Sequence, residues 1–293
     1  MTHKAGFVNI LGHPNVGKST LMNLLIGEKL SIITAKAQTT RHRILGIVNG
    51  PDYQVIYSDT PGILKPHYKL HKSMMKFIDN ALQDADVFLY MTEVGENTFE
   101  EDVIRKIQAS GKPLILIINK VDLASPEEAE QKVVFWKEQF PGAEVIPIAA
   151  KLNYNIGKIS ETVLQLLPEN PPYYPKDDEL SDRPLRFFIS EIIREKIFLQ
   201  FTKEVPYSTE VVVESYKEGE KMTVIAATIF VERETQKAIL LGHKGAAIKK
   251  LGIDARKDIE VFIGTKVYLE LSVKVSDDWR EDERQLRRFG YEL

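Results

Sequence analysis

The first half of the chain is punctuated by short, largely apolar runs at residues 7–11, 44–48, 54–58, 87–91, 114–118 and 145–148. Runs that do not alternate mark strands covered on both faces. Helix-length segments separate the last three, which predicts parallel strands joined by helical crossovers. Residues 44–48 and 54–58 are linked through Asn49-Gly50-Pro51-Asp52, a strong turn signal, and are predicted to pair antiparallel. Residues 20–26 read as a helix following the first run. The expected architecture is an α/β domain with a mixed, mostly parallel sheet, closing at residues 164–167.

The pattern then changes. Residues 168–179 hold four prolines and several acids and read as an extended linker. The boundary is placed near Tyr174, giving domains of residues 1–174 and 175–293. Beyond it, Ile189, Ile193 and Ile197 recur every four residues, with Phe188, Ile192 and Leu199 beside them, and predict a helix. Strands at 210–216 and 222–231 follow, joined as a hairpin by Lys217-Glu218-Gly219-Glu220. Two short helices, 235–241 and 246–251, flank Gly242-His243-Lys244-Gly245. Residues 266–275 alternate strictly, with Val267, Leu269, Leu271, Val273 and Val275 on one face of a half-buried strand. The tail, 279–290, reads as a charged helix. This half is α+β.

Composition narrows the classes. The 293 residues suffice for two domains, and 43% apolar with 28% charged residues is the balance of a globular protein. There are no cysteines, so disulfides, thiolate metal sites and cysteine nucleophiles are excluded. The start has no signal-peptide pattern and no run is long enough to span a bilayer, so a cytoplasmic location is expected. A net charge of −3 gives the whole chain no general pull on nucleic acid.

Candidate chemistry begins at Gly12-His13-Pro14-Asn15-Val16-Gly17-Lys18-Ser19, between the first strand and its helix. This is a phosphate-binding loop in its required context. Glycines let backbone N–H groups wrap an anion, and the helix N-terminus adds positive potential. Lys18 would neutralise the β- and γ-phosphates, and Ser19 would ligate Mg²⁺, with Thr20 following in the helix. Asp59-Thr60-Pro61-Gly62 ends the 54–58 strand. Its carboxylate can hold Mg²⁺, and the Gly62 N–H can reach a γ-phosphate. A loop threonine, Thr39 or Thr40, can complete the metal shell while that phosphate is present. Asn119-Lys120-Val121-Asp122 ends the fifth strand, where ligands of open α/β sheets sit. Asp122 can accept from guanine N1–H and its exocyclic amine, a donor pair that adenine lacks. Ala149-Ala150-Lys151 follows the sixth strand, with backbone groups for the guanine oxygen.

Together, residues 12–19, Thr40, 59–62, 119–122 and 149–151 resemble the five guanine-nucleotide motifs of translation-factor-type small GTPases. The resemblance implies GTP, GDP and Mg²⁺ as ligands, with Ser19, Thr40 and Asp59 on the metal and Lys18, Thr40 and Gly62 around the reacting phosphate. Two positions depart from the commonest pattern. Ala149 stands where serine is frequent. Ile63 stands where Ras-like proteins carry a water-orienting glutamine. The likeness is to members with a hydrophobic residue there, and it implies a K⁺ ion on Asn15 in place of an arginine finger.

In the second half, helix, hairpin, helix, GxxG, helix and strand resemble a KH domain of the second topological type. In that module the GxxG loop clamps a single-stranded nucleic-acid backbone. Gly242, His243, Lys244 and Gly245 form the expected clamp, with Lys249 and Lys250 beside it. Residues 233–257 carry seven Lys or Arg and two acids, a local surplus in a domain that is not basic overall. A GTPase domain followed by this KH type resembles the Era-like GTPase family over the whole chain, including residues 36–43, 231–237, 255–260 and Gly290-Tyr291. The resemblance implies a monomeric factor for 30S ribosomal subunit assembly. Its RNA partner would be the single-stranded 3′ end of 16S rRNA, and peripheral association with the inner membrane is linked to the family. The competing readings are a nucleotide-regulated scaffold that binds protein through its C-terminal half, and a metabolic nucleotide hydrolase.

Overall fold

The computed structural model describes residues 2–176 and 179–293, so Asp177 and Asp178 of the predicted linker lie outside the described residues. The chain divides into two units. The first comprises the chain up to Ser31, then Thr40–Lys65 and Met74–Asp182; the second comprises Ile32–Thr39, Pro66–Ser73 and Arg183–Leu293.

In chain order the first elements are β1 (Lys4–Gly12), α1 (Lys18–Ile26), β2 (Ile44–Asn49), β3 (Tyr53–Asp59), α2 (Lys69–Asp84), β4 (Val87–Glu93), α3 (Glu101–Ser110), β5 (Leu114–Asn119), α4 (Pro126–Gln139), β6 (Glu144–Pro147) and α5 (Ile156–Leu166). The six strands make one sheet in the order β2-β3-β1-β4-β5-β6, parallel throughout except for β2 against β3. The unbroken apolar runs follow from this. Val87, Leu89 and Met91 of β4 point to a core completed by Leu21 and Met22 of α1 and Ile159 and Val163 of α5. Phe88 and Tyr90, one residue out of phase, point to the other face, where Ile104 and Ile107 of α3 and Trp136 of α4 cover them. Parallel register brings the carboxyl ends of β1, β3 and β5 to one edge, and each of the predicted nucleotide motifs leaves the sheet there.

Residues past Pro168 do not hang free. The Tyr173 and Tyr174 N–H groups donate to Gln54 Oε1 at 2.8 and 2.9 Å. Ile47 N–H donates to Leu180 O at 2.8 Å and Ser181 Oγ to Leu45 O at 2.5 Å, so chain beyond the prolines lies along β2. The compact unit therefore runs to Asp182, past the Tyr174 position at which the composition shifts.

The second unit contains α6 (Leu185–Gln200), β7 (Glu210–Lys217), β8 (Thr223–Val231), α7 (Glu234–Leu241), α8 (Ala246–Ile263), β9 (Val267–Val275) and α9 (Glu283–Arg288). β7 and β8 form the expected antiparallel hairpin, and β9 runs parallel to β8 in unbroken register from Thr223↔Val267 to Val231↔Val275. Ile189, Ile193 and Ile197 of α6 meet Leu251, Ala255 and Ile259 of α8 over Ile225 and Ile229 of β8.

Two expectations are corrected. The helix expected at 246–251 continues to Ile263 through Gly252. Its buried stripe repeats every four residues at Leu251, Ala255 and Ile259, and this packing outweighs the cost of a helical glycine. The terminal helix is confined to Glu283–Arg288, capped by Asp282, which accepts from the N–H groups of Arg284 and Gln285. Upstream of it Trp279 is buried in a turn and donates to Ser208 O at 3.0 Å. Among the described residues no helix is long and apolar enough to cross a membrane.

Candidate functional site

The turn after β1 is tightly folded. Gly12 has φ +144°, and a Cβ there would lie 2.1 Å from the Met91 carbonyl oxygen of β4, so only glycine fits. Gly17, at φ +104°, leads into α1, and a Cβ on it would strike the Asn119 amide. Gly62 passes close to the same loop: a Cβ on it would meet Pro14 Cα at 2.7 Å. Asn119 ties three loops together. Its amide donates to Val16 O at 2.8 Å, and its oxygen accepts from Ala150 N–H at 3.0 Å. The phosphate-loop, Asp-Thr-Pro-Gly and base-end motifs of the sequence thus converge on one sheet edge. Thr60 contributes by donating to Ile10 O at 2.7 Å.

Lys18 is buried, and its ammonium donates to Gly12 O at 3.0 Å and His13 O at 2.7 Å. Burial pushes its pKa down to about 8, against the opposing pull of Asp59 and Glu96. Asp59 is buried too. Desolvation raises its pKa, partly offset by Ser19 and Lys18. One of its oxygens accepts from Ser19 Oγ at 2.7 Å and from Thr40 Oγ1 at 3.3 Å, and those hydroxyls are 2.8 Å apart. The other, Oδ1, is buried without a hydrogen bond among the described residues. One carboxylate and two hydroxyls, with an unmet oxygen, are a donor set that fits a small hard cation. Of the two candidate threonines, Thr40 places its hydroxyl here, whereas Thr39 turns its own to Thr34 and the Lys36 carbonyl.

Asn15 sits exposed with φ 66° at the loop's tip. Ile63 is buried in the apolar core beside Ile78 and Leu11, so no polar side chain follows Gly62. Asp122 is exposed in the turn Val121–Leu123. Lys120, with φ 62°, pairs with Glu93. A cavity of about 710 Å³ opens between Asp122, Ala149 and Tyr154 and the flank of α4 at Ala129 and Val133. Lys151 is exposed beyond Ala150.

In the second unit the chain from α7 to α8 turns through Gly242 (φ 69°), Lys244 (φ 50°) and Gly245 (φ 77°). A Cβ on Gly242 would strike Ala247, whereas one on Gly245 would meet open space. His243, Lys244, Lys249 and Lys250 are all exposed along this loop and the first turns of α8.

Sequence reasoning missed one group. His13 lies between two carboxylates, with Nδ1 on Glu96 and Nε2 at 3.0 Å from Glu100. Its hydrogen bond to Glu96 raises its pKa, against desolvation. Burial works against the charge on Glu96, but His13 and Thr92 outweigh it and hold that carboxyl below its usual range. Both partners stand more than eighty residues away in sequence, and no motif announces them.

A profile described as a 50S ribosome-binding GTPase matches residues 7–120, and one described as a KH domain matches residues 204–280. The GTPase Era of Geotalea daltonii is 44% identical over 98% of this chain and 98% of its own length. The chain belongs to the Era family of GTPases. Era of Geobacter metallireducens is likewise 44% identical over 98% of each chain, and the chloroplastic GTPase ERA1 of Zea mays is 47% identical over 99% of this chain and 71% of its own. Among solved structures, Era in complex with MgGDPNP and nucleotides 1506–1542 of 16S ribosomal RNA is 40% identical, with a TM-score of 0.94 over 99% of this chain and 100% of that one. A variant of Aquifex aeolicus Era bound to GDP and AlF4⁻ matches equally well. An Era-family chain is a GTPase followed by a KH domain, and both folds are present in the two units.

The His13 cluster has a pH signature. A raised pKa means that the folded protein holds the imidazolium proton more tightly than the unfolded chain does. Its stabilisation is complete below the unfolded value of 6.5 and fades as pH rises through the folded one. In nucleotide-free protein, His13→Gln is expected to cost on the order of 1 kcal/mol at pH 6 and much less at pH 9. Urea unfolding at both pH values checks this, and an equal cost at each would refute it.

Proposed function

We propose that this chain is an RNA-binding GTPase switch that acts in assembly of the small ribosomal subunit and binds the single-stranded 3′ end of 16S rRNA. The observation that carries the reading is the buried cluster of Ser19, Thr40 and Asp59 beside Lys18, whose unmet carboxylate oxygen and buried ammonium suit a metal-bound polyphosphate. The match along the whole chain to Era bound to a GTP analogue and 16S rRNA supports extending it to RNA.

In this reading residues 12–20 cradle the phosphates through backbone N–H groups, and Lys18 neutralises the β- and γ-phosphates. Ser19 and Thr40, with Asp59 behind them, hold Mg²⁺, which supplies charge neutralisation on the phosphate oxygens when bound. Gly62, free of a side chain, offers its N–H to the γ-phosphate, with Thr60 and Pro61 shaping the turn. Asn119, Lys120 and Asp122, with the backbone of residues 149–151, hold the guanine. Residues 1–174 carry this chemistry and residues 175–293 carry RNA, clamped at Gly242–Gly245 with Lys249 and Lys250 beside it.

Base selection should rest on Asp122. Asp122→Asn is expected to move preference from GTP towards XTP, because an amide can donate to the xanthine oxygen where a carboxylate only accepts. Affinities for both nucleotides decide, and an unchanged preference for GTP removes the assignment.

With Ile63 unable to polarise water, intrinsic turnover should be slow and should rise in K⁺ relative to Na⁺, with Asn15 as one ligand. Turnover of wild type and Asn15→Ala in matched K⁺ and Na⁺ buffers is the test. Indifference of the wild type to the ion rules K⁺ out.

RNA binding should separate from GTP chemistry. His243→Asp with Lys244→Asp keeps both loop glycines but sets two carboxylates against a phosphate chain, and is expected to abolish single-stranded RNA binding. GTP affinity and basal hydrolysis should stay near wild type. Unchanged RNA binding at moderate salt would put the clamp elsewhere.

A further inference from the structure

Two polar residues stand side by side inside the sheet of the first unit. Asn9 of β1 and Ser58 of β3 are register partners, and both are fully buried. Neither suits a strand covered by apolar side chains, because a buried polar group is costly unless it is hydrogen-bonded. Arg43, the residue before β2, meets them both. Its Nε donates to Ser58 Oγ at 2.7 Å and its Nη2 to Asn9 Oδ1 at 3.1 Å. The same guanidinium donates to the two oxygens of Asp84, the last residue of α2, at 2.6 and 2.9 Å. The Asn9 amide closes the set, donating to Ala81 O at 2.5 Å and to Asp84 Oδ1 at 2.8 Å. All of these residues belong to the first unit. A rigid planar fork can serve acceptors on three elements at once, whereas an ammonium is a single point of charge.

Arg43 stands three residues after Thr40. Thr40 Oγ1 donates to Asp59 Oδ2, and Ile44, the first residue of β2, is the register partner of Asp59. The chain therefore leaves Asp59 and returns to it within four residues. Between the two contacts Arg41 and His42 are buried, and the His42 ring lies 5.8 Å from that of Phe77 in α2. Ser58, which accepts from Arg43, directly precedes Asp59. The strand itself is already held by its register with β3, from Ile44↔Asp59 to Asn49↔Gln54. What the fork adds lies upstream of that pairing: a fixed root for residues 40–43.

We propose that Arg43 is a positioning residue for Thr40: held by Ser58, Asn9 and Asp84, it fixes the root from which the Thr40 hydroxyl reaches Ser19 and Asp59. The proposal rests on the GTPase reading of that cluster. It separates GTP hydrolysis, which needs Thr40 in place, from GDP binding, which is carried by the phosphate loop and the base motifs.

The test uses the full chain with Arg43→Met, which keeps an apolar stem and removes the fork. A second variant, Asp84→Asn, weakens the hold from the half-exposed end of α2 and guards against misfolding of the first. In nucleotide-free protein, amide hydrogen exchange over residues 40–44 should rise about tenfold in Arg43→Met and less in Asp84→Asn, while α3 and β5 keep wild-type protection. The kcat for GTP should fall by about tenfold to a hundredfold in Arg43→Met, with GDP affinity within about twofold of wild type. Arg43→Lys, which keeps the charge without the fork, should fall between Arg43→Met and wild type in both measurements. Unchanged exchange over residues 40–44 in Arg43→Met and Asp84→Asn overturns the proposal. So does unchanged kcat in a variant whose exchange has risen, or a loss of GDP affinity as large as the loss of kcat. A wild type that does not hydrolyse GTP overturns the reading of the cluster and the proposal with it, whereas risen exchange with kcat unmoved overturns the proposal alone.

Discussion

Two opposite charges are buried together at the carboxyl edge of one sheet, and neither is fully met by protein. The Lys18 ammonium rests on two loop carbonyls, and Asp59 keeps one oxygen without a partner. Desolvation works against both, lowering the pKa of one and raising that of the other. Such an arrangement persists only where the surrounding fold supplies the stability it lacks. Here the supply is a sheet with full apolar cores on both faces, from Val8 and Leu89 on one side to Phe88 and Trp136 on the other. The unmet groups are what a polyphosphate and its cation would satisfy, so ligand binding and folding act on the same deficit.

Much of this was legible in the sequence because the signals are local. The phosphate loop, the Asp-Thr-Pro-Gly turn and the Asn-Lys-x-Asp turn each combine a strand, a tight turn and a few fixed residues. A glycine such as Gly12 states its own constraint, since no other residue fits against the Met91 carbonyl. The topology of the second unit followed from alternation in β9 and four-residue repeats in α6, both readable within a few turns of chain.

What escaped was set by neighbours far away in sequence. α8 runs past Gly252 because Ala255 and Ile259 find α6, a fact that local propensity cannot contain. His13 looked like one more position of the phosphate loop until Glu96 and Glu100 came alongside it. Residues 32–39 read as polar loop, and nothing in them announces that Lys36 caps a helix ending at residue 200. In each case the sequence carries the residues but not the pairing, since side-chain pairing depends on the finished fold.

The chain that follows Pro168 has a consequence for the sheet it borders. β2 is the terminal strand, and an open edge of unpaired N–H and carbonyl groups invites another chain to add on. Leu180 and Ser181 meet the backbone of Ile47 and Leu45, and Tyr173 and Tyr174 fasten to Gln54 of β3. Leu180 and Ser181, just past the proline-rich stretch, thereby act as a selvedge, a woven border that keeps the sheet from unravelling into a neighbour's. A fragment cut at Tyr174 would retain every nucleotide motif yet bare that border.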